Sequence, residues 1–302
     1  MRIRTPALLA CAALAALPVP AAAQSDAPGD SYLGAIRLNP GDPDKPDPLP
    51  AAGASFSVDT AGYGTQADIF NPPGSGGISE PNRCPPTRYG KTAWGWLYTK
   101  KWVRAEVTAT ASFDSVLAVM PFTKPSKPKL SPGSGACVNR STGTTEDFGE
   151  DQPILAPGWY AVQAGGVVDG SGQPTGGRLG VTVKLGAPPR VTAQARASSR
   201  RRSRGAAAVT LKASAPRGAR LAFACVRRKC RLPRQRTVSR AGMRSYLRSS
   251  VIPAGARLEL RITRAGHIGD YFAWNVRNGR LGRVLSRCME PASTRPRARC
   301  DG

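Results

Sequence analysis

The stretch GKTAWGWLYTKKWVRAEVTATASFDSVLAVM, residues 90–120, has the side-chain periodicity of a β-sheet. In its central part, VRAEVTATAS (103–112), apolar Val103, Ala105 and Val107 alternate with polar side chains, which is typical of a strand with one face in the core. SVLAVM (115–120) is apolar throughout, as expected of a strand covered on both faces. The stretch therefore predicts a half-buried strand followed by a fully buried one.

Two further segments extend this sheet pattern towards residue 186. RLGVTVKL (178–185) alternates again, with Leu179, Val181 and Val183 on one face and Leu185 continuing it. PGWYAVQAGG (157–166) supplies another strand after a turn. Short strands separated by turn residues, without a helical apolar period, favour an antiparallel β-sandwich.

Charge divides the chain of 302 residues, whose net formal charge is +25, into two parts. Residues 24–186 contain 14 Lys+Arg and 15 Asp+Glu, whereas residues 187–302 contain 28 Lys+Arg and only 4 Asp+Glu. The change falls at GAPPR (186–190), where two prolines suit a stiff, extended linker. The sequence thus predicts an all-β protein of two consecutive sandwich domains, 24–186 and 187–302.

The N-terminus has the pattern of a secretory signal peptide. Arg2 and Arg4 precede an apolar run, and small residues follow at Ala21 and Ala23, which predicts a signal over residues 1–23. Cys11 follows LLA, as in a lipoprotein cleavage site, but the apolar run continues beyond it. We found no second apolar stretch of membrane-spanning length, so we expect a secreted, extracellular protein without a membrane span.

Six cysteines remain after the predicted cleavage, and an even number in an exported chain favours disulfides. Six cysteines allow fifteen pairings. We expect Cys84, just before the TAWGWLY strand, to pair with Cys137, which follows the SVLAVM strand, and we expect the neighbouring pairs Cys225–Cys230 and Cys288–Cys300. The alternative, a metal site at CVRRKC (225–230), lacks a second pair of ligands and carries three positive charges in its loop.

The first part of the chain, about residues 30–186, carries a series of motifs in the order DTAGYGTQADIF, EPNRC, YGKTAWGWLY, SFDSVLAVM, PGWYAVQAGG and GGRLGVTV. This order resembles that of the bacterial pre-peptidase C-terminal family. The resemblance implies a compact, jelly-roll-like β-sandwich that serves secretion, attachment or substrate adhesion, with calcium bound in some members. Asp42, Asp44 and Asp47 lie in a proline-rich loop without a clear calcium motif, so we expect no cofactor.

The second part is also rich in strand patterns. ARLAFAC (219–225) and ARLELRIT (256–263) alternate, and Asn278-Gly279 is a strong hairpin-turn signal after the alternating Phe272, Trp274 and Val276. This part resembles the small immunoglobulin-like modules of exported actinobacterial proteins. We therefore expect a smaller, basic, immunoglobulin-like sandwich.

Catalytic groups are scarce along the chain. The single histidine, His267, lies between glycines in a predicted turn, and no P-loop, HExxH or GxSxG motif occurs. A hydrolase using paired carboxylates, such as Asp114 and Glu146, is the alternative to a binding protein. We expect instead that Asp114 orders a turn and that EDFGED (146–151) is a solvated loop.

The tryptophans give a second open alternative. Strand spacing places Trp94 and Trp96 on one face, where they form either a sugar-stacking platform or part of the core. Core packing is the more frequent role of tryptophan in a sandwich.

Arginine dominates the basic part, because 26 of its 28 cations are Arg, and guanidinium binds phosphate in a bidentate manner. The clusters are ASSRRRSRG (197–205), RRKCRLPRQR (227–236) and RPRARC (295–300). An anionic cell-wall polymer or another polyanion is the expected partner; the alternative is that a GC-rich genome encodes arginine cheaply and the charge is merely solvated. The candidate polyanion-binding residues are Arg200, Arg201, Arg202, Arg204, Arg227, Arg228, Lys229 and Arg231.

Overall fold

The computed structural model describes most of the chain after the predicted signal peptide. The described residues are 28–30, 34–42, 44–63, 83–85, 87–122, 135–140, 143–228, 230–233 and 235–300. The predicted signal peptide with Cys11, and the candidate Lys229, lie outside them.

The described residues form an all-β fold, as predicted. The strands up to residue 186 are β1 (Ile36–Arg37), β2 (Gly41–Asp42), β3 (Lys45–Pro46), β4 (Ala54–Asp59), β5 (Arg83–Cys84), β6 (Thr87–Thr99), β7 (Val103–Ala111), β8 (Ser115–Phe122), β9 (Ala136–Val138), β10 (Thr145–Asp147), β11 (Ile154–Leu155), β12 (Gly158–Val167) and β13 (Arg178–Gly186). The later strands are β14 (Gln194–Arg201), β15 (Ala207–Ser214), β16 (Arg220–Val226), β17 (Gln235–Thr237), β18 (Arg244–Ile252), β19 (Arg257–Thr263), β20 (Gly269–Arg277), β21 (Arg280–Leu281) and β22 (Leu285–Met289). Two 3₁₀ turns, Gly149–Asp151 and Ser203–Gly205, are the helical segments of the described ranges, and none there is long and apolar enough to cross a bilayer.

The N-terminal half is a sandwich of two sheets. One has the order β1-β6-β12-β8-β9, with β5 beside β6; the other has the order β10-β7-β13-β4, with β11 beside β7. The inward residues predicted for β7 and β13, including Val107, Leu179 and Val183, are fully buried in one cluster with Leu97 and Val162 of the facing sheet. The alternation read from the sequence is therefore confirmed.

Strand β8 is covered on both faces, as its continuous apolar run predicted. Leu117 and Val119 belong to the core between the two sheets. Ala118, Met120 and Phe122 point the other way and pack against aromatic side chains on the outer face of their own sheet. This outer aromatic layer explains why no polar residue interrupts the strand.

The C-terminal half has the same construction with fewer strands. A three-stranded sheet, β14-β15-β18, faces a sheet with the order β17-β16-β19-β20, in which β21 and β22 both pair with β20. Their inner faces share an apolar cluster that includes Leu211, Leu247, Leu258, Leu260 and Ile262. The predicted Asn278-Gly279 turn closes the β20–β21 hairpin, and both of its residues have positive φ, as this tight turn requires.

The charge boundary coincides with a change of core. Among the described residues, strands up to β13 pair only with one another, and so do those from β14 onwards. Val191 already belongs to the second cluster. The segment between them is not free, because Arg190 bridges in parallel to Ile268 and the Val191 amide donates to the Ile268 carbonyl at 2.9 Å.

The structure brings together the three predicted cysteine pairs. The Cα atoms are 5.7 Å apart in Cys84–Cys137, and 5.9 Å apart in both Cys225–Cys230 and Cys288–Cys300. These separations lie in the normal range for disulfides. The first pair joins β5 to β9 across the N-terminal half, whereas the other two close short loops.

Candidate polyanion-binding site

Four connections between strands meet at one end of the C-terminal sandwich. Antiparallel pairing places Arg201 opposite Ala207, Val226 opposite Arg257, and Arg277 opposite Arg280. The ends of β16 and β20 are therefore at the same edge of their sheet as the start of β19. The end of β14, in the other sheet, lies beside them, because the Leu281 amide donates to the Ser199 hydroxyl at 3.0 Å. Ile252, the last residue of β18, pairs with Ala207 and lies at this edge as well.

Backbone contacts hold these turns against one another. The Gly279 amide donates to the Gly205 carbonyl at 2.9 Å, and the Gly255 amide donates to the Val276 carbonyl at 2.9 Å. Gly205 has a φ of +70°, and a Cβ there would lie 3.3 Å from the Cβ of Ala254. The β14–β15, β18–β19 and β20–β21 turns thus form one rigid surface.

This surface is dense in exposed arginine, and we call it the arginine end. It is defined by Arg201, Arg202, Arg204, Arg227, Arg228, Arg277 and Arg280. Two clusters that are separate in the sequence, around residues 200–204 and 227–231, are brought together here. Arg200 lies one residue inside β14, and Arg231 follows Cys230, whose disulfide keeps it near the end of β16.

Sequence reasoning missed Arg277 and Arg280, because each is an isolated arginine beside a turn rather than part of a run. Their contribution follows from the Asn278-Gly279 signal, which places one on each side of a hairpin tip. Combining the turn signal with the charge count could have found them.

The acidic residues of the C-terminal half do not neutralise the arginine end. Glu259 is buried and pairs with Arg257 at 3.4 Å and with Arg261 at 3.3 Å. Glu290, just after β22, pairs with Arg297 at 2.9 Å. Within the described part of the chain, none of the seven defining arginines makes an ion pair.

Asp270 lies at the opposite end of the sandwich, where β20 begins. Burial raises the pKa of its carboxyl, while the Ala193 amide and the Arg190 charge act in the other direction. Asp270 pairs across the sheet with Cys288, and Cys288 bridges to Arg297. The third basic cluster, in the C-terminal tail, is therefore at this opposite end and does not join the other two.

The outer face of the three-stranded sheet extends the basic surface. Arg196 lies opposite Lys212, and Arg200 lies opposite Ala208, which in turn lies opposite Val251. Ser198 and Thr210 lie between these rows and offer hydroxyl groups. No carboxylate occurs on these three strands, so this face adds cations and hydrogen-bond donors to the end.

The carboxylate pair considered for hydrolysis does not form a usable site. The prediction that residues 146–151 are a solvated loop is wrong for Glu146, which lies in β10, is fully buried and accepts a hydrogen bond from the Arg140 amide at 2.8 Å. A carboxylate sealed in this way has no access to substrate. It anchors the backbone of Arg140 to the sheet instead.

Asp114, the other carboxylate of that pair, lies in the turn before β8. Burial raises the pKa of its carboxyl, and its Oδ1 atom is buried without a hydrogen-bond partner. The turn is held instead by the Asp114 carbonyl oxygen, which accepts from the Val167 amide at 2.9 Å. The Oδ1 atom therefore does not order this turn, and the role expected for the Asp114 side chain stays a prediction.

The remaining candidates lie apart from the arginine end. Trp94 and Trp96 share a face, as predicted, but both are buried in the outer aromatic cluster with Met120 and Phe122, so they offer no sugar-stacking platform. His267 lies in the predicted turn, between β19 and β20, with Nδ1 2.8 Å from the Ala265 carbonyl oxygen.

We next compared the chain with known proteins and searched the described residues for metal-ligand groups. The described residues contain no group of three or more His, Cys, Asp or Glu side chains that could hold a metal ion. No protein-family model and no curated protein matches the chain. The case for a function therefore depends on the geometry of the arginine end.

Proposed function

We propose that the protein is a secreted, non-catalytic binding protein of the cell envelope, whose C-terminal half holds phosphate-bearing polyanions at the arginine end. The observation that carries this proposal is the convergence of two arginine clusters and the β20–β21 turn on one surface, where none of the seven defining arginines pairs with a carboxylate of the described residues. Merely solvated charge needs no such convergence. A site for a polymer of many phosphates does.

The chemistry of arginine supports this proposal. A guanidinium group offers a planar fork of donors that matches two oxygens of one phosphate, and it stays charged at any physiological pH. Each contact releases condensed counterions from the polymer, so the affinity depends steeply on salt. Several arginines on one rigid surface add these contributions without an ordering cost for the backbone.

The position of the linker supports it as well. The chain enters the C-terminal half beside Ile268, at the start of β20, and the arginine end lies where β20 ends. The N-terminal half is thus attached at the far end of the sandwich. For that half we retain the resemblance to the pre-peptidase C-terminal family, and with it a role in attachment beside the polyanion contact.

The test compares two variants that remove equal charge at opposite ends. The first, Arg202→Gln with Arg204→Gln, Arg228→Gln and Arg280→Gln, removes four cations of the arginine end. The control removes four exposed arginines near the other end: Arg220→Gln, Arg264→Gln, Arg295→Gln and Arg299→Gln. Binding to purified cell wall is measured over a series of salt concentrations, before and after the wall is stripped of its phosphate polymers.

We expect the first variant to bind more weakly and the slope of log affinity against log salt to become less steep by about 3, since each lost phosphate contact removes somewhat less than one unit. The control variant should change only slightly. Equal losses in the two variants would mean that net charge alone matters and would overturn the site. Binding that ignores salt or the removal of phosphate polymers would reject the proposal itself.

A further inference from the structure

Large apolar side chains are exposed around the arginine end. Five such side chains are exposed in the described part of the chain: Val226 (40%), Met243 (41%), Val251 (56%), Val284 (44%) and Leu285 (38%). Val226 and Val251 lie at the arginine end or within the next row of residues, whereas Val284 and Leu285 lie along the sheet edge towards the middle of β20, where Leu285 pairs with Ala273. Met243 precedes β18 and lies at the opposite end, where Arg244 pairs with Ala213.

The register places these side chains beside cations on both outer faces. On the larger sheet, Val226 ends β16 in the same row as Arg257. On the smaller sheet, Val251 shares a row with Ala208 and Arg200. Aliphatic groups thus flank the arginines on two sides of the sandwich.

Val284 and Leu285, the other two exposed aliphatic residues, lie between β21 and the start of β22. The Gly282 amide donates to the Asn275 carbonyl at 2.8 Å, and Leu285 pairs with Ala273, so Val284 and Leu285 follow the β20–β21 hairpin along the edge of the sheet. Arg283, also exposed, lies between them and the hairpin.

We propose that the arginine end is a contact surface for an anionic phospholipid bilayer, in which guanidinium groups bind lipid phosphates while the aliphatic side chains beside them, Val226 and Val251 first, enter the interface. This inference rests on the proposed function, because it uses the same arginines, and it names the source of the phosphate. A dissolved phosphate polymer would leave these aliphatic groups in water. A lipid surface removes them from water and so accounts for both features together.

The choice of arginine fits the same partner. Guanidinium is more weakly hydrated than an ammonium group, and its stem covers apolar surface while its head remains polar. Attraction to an anionic leaflet is about fivefold in affinity for each cation near the surface. Because the linker joins at the opposite end, this end can meet a planar surface without obstruction by the chain connection.

The experiment is co-sedimentation of the full chain with vesicles of phosphatidylcholine alone and of phosphatidylcholine with phosphatidylglycerol. The aliphatic variant carries Val226→Ser, Val251→Ser, Val284→Ser and Leu285→Ser; the single change Val251→Ser has Met243→Ser as its matched control. The arginine variant described above is measured in parallel, and cell-wall binding is measured for all of them. Circular dichroism verifies that each variant is folded. If the variant with four substitutions does not fold, the comparison of Val251→Ser with Met243→Ser tests the proposal instead.

We expect the parent chain to sediment only with the vesicles that contain phosphatidylglycerol. The aliphatic variant should lose tenfold or more in its partition coefficient onto these vesicles, most clearly at high salt, while its binding to the cell wall stays unchanged. Val251→Ser should lose severalfold, and Met243→Ser nothing. Vesicle binding by the aliphatic variant equal to that of the parent, or no sedimentation of the parent with any vesicle, overturns the lipid inference and leaves the polymer site intact. Parent-like binding of the arginine variant to both wall and vesicles overturns the proposed function together with the inference.

Discussion

The two halves of the molecule share a sandwich architecture, but in the described ranges the N-terminal half buries many polar side chains and the C-terminal half almost none. Nine polar or charged residues are buried among the described residues, and Glu259 is the one that belongs to the C-terminal half. In the N-terminal half, Glu146, Gln163 and Asn39 are inside the fold and hold backbone or other side chains. The C-terminal core is almost entirely apolar, and its charge is on the surface.

The difference teaches how each half is held. In the N-terminal half, Asn39 accepts from the Tyr98 amide at 2.6 Å and donates to the Tyr98 and Asp47 carbonyls at 3.0 Å, which ties a loop of low regularity to β6. Such satisfied polar groups fix loops, and their loss is costly. The C-terminal half uses partly exposed side chains for its ties, since the Leu281 amide donates to the Ser199 hydroxyl and Arg190 donates to the Cys300 carbonyl, both at 3.0 Å.

The disulfides provide the sharpest test of this comparison. Cys84 and Cys137 are 53 residues apart in sequence, whereas Cys225 and Cys230 are 5 apart. In the chain-entropy model, replacing the first pair by serine should lower the free energy of unfolding by about 4 kcal/mol, and replacing the second by about 2 kcal/mol. Urea unfolding followed by tryptophan fluorescence and circular dichroism measures both.

The same experiment tests whether the halves unfold separately. Four of the five tryptophans belong to the N-terminal half, so fluorescence reports mainly on that half. We expect the Cys84 and Cys137 replacements to move the fluorescence transition to lower urea concentration. The part of the circular dichroism change that belongs to the C-terminal half should stay at the same urea concentration. A single shared transition that moves as a whole would contradict two independent sandwiches.

Glu259 should matter more than its N-terminal counterpart, Glu106. Glu259 is buried between Arg257 and Arg261, whereas Arg104 and Glu106 form a half-exposed pair. Because Glu259→Gln leaves two arginines close together without their anion, we expect a loss of about 2 kcal/mol, and less than about 1 kcal/mol for Glu106→Gln. Thermal and urea unfolding measure the free energy of unfolding of both variants. Equal losses would show that Glu259 interacts with Arg257 and Arg261 no more strongly than Glu106 does in its half-exposed pair.

A smaller effect concerns the pH dependence of stability at Asp114. Burial raises the pKa of this carboxyl in the folded protein, so the folded protein binds a proton more readily than the unfolded chain. Its contribution to stability therefore declines as pH rises from the unfolded pKa through the folded pKa. Asp114→Asn should raise the melting temperature slightly at neutral pH, and the difference should vanish in acid.

Asp270 gives the matched comparison in the C-terminal half. Burial raises its pKa as well, but Arg190 and the Ala193 amide stabilise its charged form. Asp270→Asn should therefore gain less than Asp114→Asn at neutral pH, since it also gives up those interactions. A larger gain at Asp270 than at Asp114 would show that Arg190 does not compensate the buried charge.

Local pattern was sufficient for most of the fold. Period-two alternation in β7, β13 and β19, and the unbroken apolar run of β8, predicted strands and inward faces that the structure confirms. Alternation is readable because successive side chains of a strand point to opposite faces whatever the strand pairs with. The hairpin at Asn278-Gly279 was readable for a similar reason, since positive φ at two successive residues strongly selects this dipeptide.

Local pattern failed where an outcome depended on a distant partner. Glu146 was expected in a solvated loop, but pairing of β10 with β7 places it inside, opposite Ala109. The shared face of Trp94 and Trp96 was predicted, yet only packing against β8 and β12 buries it. A neighbouring strand or layer is not visible in a run of ten residues.

The sequence by itself determined that the second half is an alternating, arginine-rich chain with few acids and closely spaced cysteines, because composition and periodicity are local properties. Only the tertiary structure decided that two of its three arginine clusters meet with Arg277 and Arg280 at one end, away from the linker and beside exposed Val226 and Val251. The physical reason is that antiparallel pairing decides which turns share an end of a sandwich, and that pairing is selected by how both sheets bury their apolar faces together.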